Sequence, residues 1–322
     1  MSFPSRSHFA HVDWLGSGLV LSSAVAFSAK AIFVKLAYAA HPIGALTLLT
    51  LRMVCAAPLF LLIAWWASRG QPALTRREWL GVGALGLLGY YLASLLDFMG
   101  LQYVTAALER LVLFLYPTFV VILSALLLGY RIVRRDVFAL AVSYLGIGFV
   151  FANDLGGRQN GILLGGLLVM LSSLCYAGYL VGAGQMVNRI GSLRFGTYAS
   201  LASTLAIFIH FAVAGNYGEL AQPTRIWWLV LAMALFSTVL PVMLMAEGMR
   251  RIGSSNASML GAIGPVSTIF MGAVFLDEPI TLVQLLGAAL VMIGVMAITL
   301  KKKPAANAIP NPIPTPAAPT ET

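Results

Sequence analysis

The chain has 322 residues, 60% of them hydrophobic and only 10% charged, with a net charge of +9 and a mean hydropathy of +0.90. Soluble domains average about 45–50% apolar and 25% charged residues, so a water-soluble globular protein is excluded and the chain reads as integral to a membrane. The positive charge is spread over loops, as membrane topology requires, and does not point to nucleic acid.

Residues 1–13 form a short N-terminal segment. The first apolar run keeps Lys30 and Lys35 and is preceded by no small-residue cleavage site, so it reads as a retained helix. Ten apolar segments are predicted as helices: 14–36, 42–66, 79–99, 103–128, 137–152, 161–184, 195–214, 226–247, 256–276 and 281–300. A hydrocarbon core about 30 Å thick takes roughly 20 residues per helix, which leaves little chain for a soluble domain. The last stretch, 301–322, is rich in Pro and Ala and reads as a disordered tail. Cys55 and Cys175 both fall inside apolar runs and give neither a disulfide framework nor a metal signature. No metal and no cofactor are expected.

Lys and Arg set the orientation. Arg6, Arg69, Arg76, Arg77, Arg131, Arg134, Arg135, Arg189, Arg194, Arg250, Arg251 and Lys301 to Lys303 fall on one side, against Arg158 and Arg225 on the other. This places both termini in the cytoplasm.

Two segments align without a gap at a spacing of 148 residues: GLQYVTAALERLVLFLYPTFVVILSALLLGY at 100–130 and GMRRIGSSNASMLGAIGPVSTIFMGAVFLDE at 248–278. A weaker match at a spacing of 150 pairs LSS at 21–23 with LSS at 171–173. The chain therefore divides into two five-helix repeats, 14–152 and 153–300. Because five is odd, the second lies inverted relative to the first, an arrangement that suits alternating access around a midplane site. Pro117 and Pro265 fall mid-span at equivalent positions, where each is predicted to kink its helix and free the carbonyls of Leu113 and Gly261.

The small-residue run, the mid-helix Pro and the terminal Leu followed by Asp277-Glu278-Pro279 resemble the EamA-type transporters of the drug/metabolite transporter superfamily. The resemblance covers residues 14 to 300. It implies export or exchange of small metabolites, often amino acids or drugs, across bacterial inner membranes. Family members usually carry a Gly-Glu pair after the Pro helix in each half, and here the first copy reads Gly129-Tyr130 and the second Asp277-Glu278.

Intramembrane charges mark the candidate site, since each costs about 2.5–3.5 kcal/mol at a helix centre and needs a partner, water or substrate. Lys30 shares a helix face with Ser23, and Asp97 shares one with Tyr90 and Ser94. Arg52 lies about 15 Å deep, near the midplane. Lys30 and Arg52 are expected to line a cavity and suit a substrate carboxylate or phosphate. Glu109 and Arg110 are adjacent but about 100° apart on their helix, so they do not face each other. Glu109, on the Tyr116 face, is expected to pair with Lys30 or Arg52, and Arg110 to face the Pro117 side. Lys35 is expected to snorkel, and Glu247 to pair with Arg251 four residues on. Gly178 and Gly182 permit close helix approach within the chain or in a homodimer.

The function expected is a secondary transporter in which protons couple through Glu109 and Asp97, with Tyr90, Tyr91, Phe114 and Tyr116 available as an apolar wall. No phosphate-binding loop supports nucleotide drive. The alternatives are a membrane enzyme acting on lipid-linked substrates, or a channel or sensor. The partners expected are a small-molecule substrate, the lipid bilayer and protons, and either a monomer or a homodimer is compatible.

Overall fold

The computed structural model describes residues 13–129, 132–155 and 161–299. The N-terminal segment, the 301–322 tail, Tyr130, Arg131 and Arg158 lie outside the described residues, as do the parts of the charge-bias and tail readings that rest on them. Among the described residues the chain is helical, with no strand. The helices are α1 (Trp14–Ala40), α2 (Ala45–Ser68), α3 (Arg76–Gly86), α4 (Ala93–Gly100), α5 (Ala106–Leu113), α6 (Tyr116–Leu128), α7 (Arg134–Leu155), α8 (Ile162–Ile190), α9 (Ser192–Ala214), α10 (Thr224–Ala234), α11 (Leu240–Gly261), α12 (Gly264–Leu276) and α13 (Leu282–Thr299). Among the described residues seven stretches are long and apolar enough to cross a membrane, and three apolar helices are shorter: Asp136–Ala152, Gly264–Leu276 and Leu282–Ala297.

Both prolines break their helices outright, a larger effect than the kinks expected. α5 ends at Leu113 and Pro117 opens α6, while α11 ends at Gly261 and Pro265 opens α12. The missing proline N–H leaves the Leu113 carbonyl without its helical donor, and Ser173 of α8 supplies one from Oγ at 3.0 Å. Each break is followed by a helix that ends on a left-handed residue, Gly129 (φ 68°) or Asp277 (φ 54°), which terminates the helix in the αL cap geometry.

A second symmetric irregularity sits in the third span of each half. Residues Leu87–Leu92 join α3 to α4 as a π-helix, and Leu235–Val239 join α10 to α11 in the same way, again 148 residues apart. Such wide turns leave the regular i→i−4 pattern.

The two halves interlock. α1 packs along α10 and α11, and α8 packs along α4, so the first helix of each half lies on the third span of the other. Side chains at Gly100 and Gly248 would collide with the opposing helix. A Cβ on Gly100 would sit 2.6 Å from Val169 Cγ2 and 3.0 Å from the Gly165 carbonyl, and one on Gly248 would sit 2.5 Å from Val20 Cγ2 and 3.2 Å from the Gly16 carbonyl. Hydroxyl ties run through the same contacts: Ser23 donates to the Pro241 carbonyl and Ser172 to the Ala93 carbonyl, each at 2.7 Å. Ser23 and Ser172 are therefore the geometric equivalents, one residue off the register that the LSS match implies; one residue rotates a helix by about 100°, enough to change the hydroxyl that faces the partner.

α11 is helical through 248–255, where the sequence reading placed a connection. The chain nonetheless reverses along α1. Gly16 lies against Arg251 and Ile252, whereas Ser28, more than three turns further on, donates to the Gly264 carbonyl at 3.0 Å.

Candidate functional site

Three acid and base side chains predicted from sequence meet in the bundle. Lys30 on α1 places its ammonium 2.5 Å from Asp97 Oδ2 on α4 and 3.2 Å from Glu109 Oε1 on α5. Asp97 is 1% exposed and Glu109 fully buried. The Asp97 contact has hydrogen-bond geometry, and neither Glu109 oxygen has a hydrogen-bond partner. One lysine thus serves two buried carboxylates, and the cluster draws on three helices. Of the two partners expected for Glu109, Lys30 is the one it meets.

Arg110, one residue along α5, points elsewhere, as the 100° offset requires. Its guanidinium lies over the Phe114 ring, 5.1 Å from the centroid, and fills the space beside Gly264 at the start of α12. At the 148-residue spacing Gly264 is the counterpart of Tyr116, so the absence of a side chain in one half accommodates the cation of the other. Tyr116 itself joins a train of rings. Its centroid is 6.0 Å from Phe114 and 5.3 Å from Tyr176, which stacks on Tyr179 at 5.7 Å, and the Tyr179 hydroxyl meets that of Tyr90 at 3.0 Å.

Arg52, Tyr90 and Ser94 line a cavity of about 60 Å³ between the halves, together with Ser200 and Ser203 of α9 and Ser237 and Thr238 of the second π-helix. Phe27, Met53, Phe60 and Val242 complete its wall. The hydroxyls and the Phe27 wall are residues the sequence reading did not single out. A signal existed: Thr238 falls 148 residues after Tyr90, so both sit on equivalent π-helices. Arg52 is 9% exposed; its Nε donates to Thr238 Oγ1 at 2.9 Å, its guanidinium carbon lies 5.5 Å from the Phe98 centroid, and its Nη1 has no hydrogen-bond partner.

Both ends of the bundle are tied. At one end Glu219, in the connection between α9 and α10, accepts the Gly44 N–H at 2.7 Å at the start of α2. Partial burial alone would raise this carboxyl, but hydrogen bonds from Thr47, the Gly44 N–H and Asn216 hold it below the usual glutamate range. At the same end Glu278 accepts the Ala106 N–H at 3.0 Å and caps α5, and Lys35 donates to the Val104 carbonyl at 2.9 Å. At the other end Arg194 donates to the Pro72 carbonyl at 2.7 Å, and Tyr198 shares a 2.7 Å hydrogen bond with Ser68. Glu247 pairs with Arg251 as the spacing predicts, and with Arg250 as well, each at 2.7 Å.

Residues 14–152 and 163–300 each match the EamA-like transporter family. Among relatives, YcbK of Bacillus subtilis (strain 168), described as an uncharacterized transporter, is 32% identical over 295 residues, covering 89% of this chain and 93% of its own. YetK of the same organism, also described as an uncharacterized transporter, is 27% identical over 259 residues, covering 79% and 78%. A protein crystal structure superposes with a TM-score of 0.57 at 19% identity over 87% of this chain and 98% of its own, a likeness of fold. Two matched repeats over nearly the whole chain place this protein in the EamA-like transporter family.

Proposed function

We propose that the chain is a secondary carrier of ten membrane spans, arranged as two inverted five-helix repeats, that moves a small metabolite by alternating access rather than an enzyme or a channel. The carrying observation is the cavity between the halves, where one buried guanidinium and a set of hydroxyls drawn from both repeats face the same small space. In an inverted repeat, exchange of the two halves' conformations opens such a site first to one side and then to the other. The π-helices that line the cavity supply the local irregularity at which the third spans can bend. With both termini cytoplasmic in a bacterial inner membrane, the Glu219 end faces outward and the Arg194 end inward. Export or exchange of an amino acid, a related metabolite or a drug-like compound is the direction and class this reading takes.

Proton coupling belongs to the same proposal. Asp97 and Glu109 share one lysine in a buried setting, so a change of hydration on one side of the cycle changes the cost of keeping both ionised. Counterflow in proteoliposomes tests the carrier: saturable uptake accelerated by unlabelled substrate on the opposite side is expected, and flux that rises linearly without counterflow would identify a channel. Saturable transport indifferent to a pH gradient would remove the proton from the scheme.

A further inference from the structure

The charges inside the bundle do not balance evenly. Lys30 is committed to Asp97 and Glu109. Arg110 lies in the field of Glu109. Arg52 in turn lies in the longer-range field of Asp97, so three cations share two carboxylates and one positive charge is left over; of the three, only Arg52 lines the cavity. No described carboxylate forms an ion pair with it, and a hydroxyl and an aromatic face are its neighbours. An uncompensated buried guanidinium is costly, and a site of this kind is completed by an anion.

The wall of the cavity narrows the anion. At about 60 Å³ the cavity is small, which favours a compact anion over a bulky one. A second charge would leave the occupied site negative, so a dianion fits less well than a monoanion. Neither Asp nor Glu lines the cavity, which leaves an α-ammonium with hydroxyls only. Phe27, Met53, Phe60 and Val242 offer the remaining surface to hydrocarbon. We infer that the cavity is a binding site for a small apolar monocarboxylate, whose carboxylate accepts hydrogen bonds from the Arg52 guanidinium and the Ser203 hydroxyl, two lining side chains with polar atoms left without a hydrogen-bond partner. This deepens the carrier reading and rests on it only for the statement that the bound acid is transported.

The test uses the full-length protein in detergent and two matched probe pairs, benzoate against benzamide and isovalerate against isovaleramide, with phenylalanine as the zwitterion. Thermal unfolding and intrinsic tryptophan fluorescence report binding. Both acids are expected to raise the melting midpoint, and the amides and phenylalanine to leave it unchanged. Arg52→Gln is expected to weaken benzoate binding at least about tenfold, and Arg52→Lys to retain part of it. Ser203→Ala removes one hydroxyl without opening a charge, so it keeps the fold and is expected to weaken benzoate severalfold. Equal protection by acid and amide, or benzoate binding in Ser203→Ala and in monodisperse Arg52→Gln that matches the wild type, overturns the inference. Counterflow separates the two proposals. Saturable counterflow of phenylalanine but not benzoate sinks the carboxylate site and keeps the carrier, whereas Arg52-dependent benzoate binding with no counterflow of any probe keeps the site and sinks the carrier.

Discussion

The guanidinium of Arg110 occupies the space that a side chain on Gly264 would fill: a Cβ built on that glycine sits 2.8 Å from Arg110 Nη2 and 3.2 Å from Phe114 Cζ. The two residues belong to opposite halves, one turn before the helix break in the first and at the break itself in the second. A cation found in one repeat alone is thus matched by a vacancy found in the other alone.

Gly264→Ala is expected to push Arg110 off the Phe114 ring and to cost about 1–3 kcal/mol through overpacking. Denaturant or thermal unfolding of the purified protein measures it. In combination with Arg110→Ala the penalty should shrink, because the colliding group is gone; additive losses in the double-mutant cycle would show that the two positions do not communicate.

Removing Lys30 strands two buried carboxylates. Lys30→Met is expected to destabilise by about 3–5 kcal/mol, whereas Lys30→Met combined with Asp97→Asn and Glu109→Gln should recover most of that loss. Stability of the triple variant no better than that of Lys30→Met would mean that the ion cluster is not the reason the lysine is needed.

The broken helix of the first half depends on a hydroxyl from the second. Ser173→Ala leaves the Leu113 carbonyl without its donor and is expected to cost about 0.5–2 kcal/mol. Ser267→Ala serves as the control, since that exposed hydroxyl bonds within its own helix and its loss should be near neutral.

Glu219 gives a pH signature at the end of the bundle it closes. Its carboxyl is held below the usual range in the folded protein, so its stabilising effect is fully present above about pH 4.3, the ordinary glutamate value, and fades as pH falls through the lower folded value. Glu219→Gln should therefore melt below the wild type at pH 7, and the difference should begin to shrink as pH falls below about 4.3 and vanish once it has passed the lower folded value. A gap that persists or grows at low pH would contradict the assignment.

The sequence carried the large-scale plan because hydropathy and the 148-residue repeat are strong periodic signals. It also narrowed the partner of Glu109 to Lys30 or Arg52, since few buried groups were available to satisfy that charge, and Lys30 is the one that meets it. What it did not carry was which face of one helix meets which face of another. The partner of Arg52 is Thr238, a hydroxyl 186 residues away, marked in its apolar run only by its 148-residue offset from Tyr90. The break at Pro117 reads as a kink until Ser173 is seen to satisfy the released carbonyl, and the one-residue shift between Ser23 and Ser172 arises only when the helices are laid side by side. The π-helices have no proline or glycine pattern of their own that announces them.

The crossed hydroxyl ties have a consequence for how the chain came together. α1 finds its closest companion in the second half and α8 finds its own in the first, so neither half contains the neighbour that its leading helix requires. A single half made by itself would present that helix to lipid with its serines unanswered. Each half thus depends on the other for the packing of its leading helix, while equivalent positions remain free to differ, as Arg110 does from its counterpart Ser258.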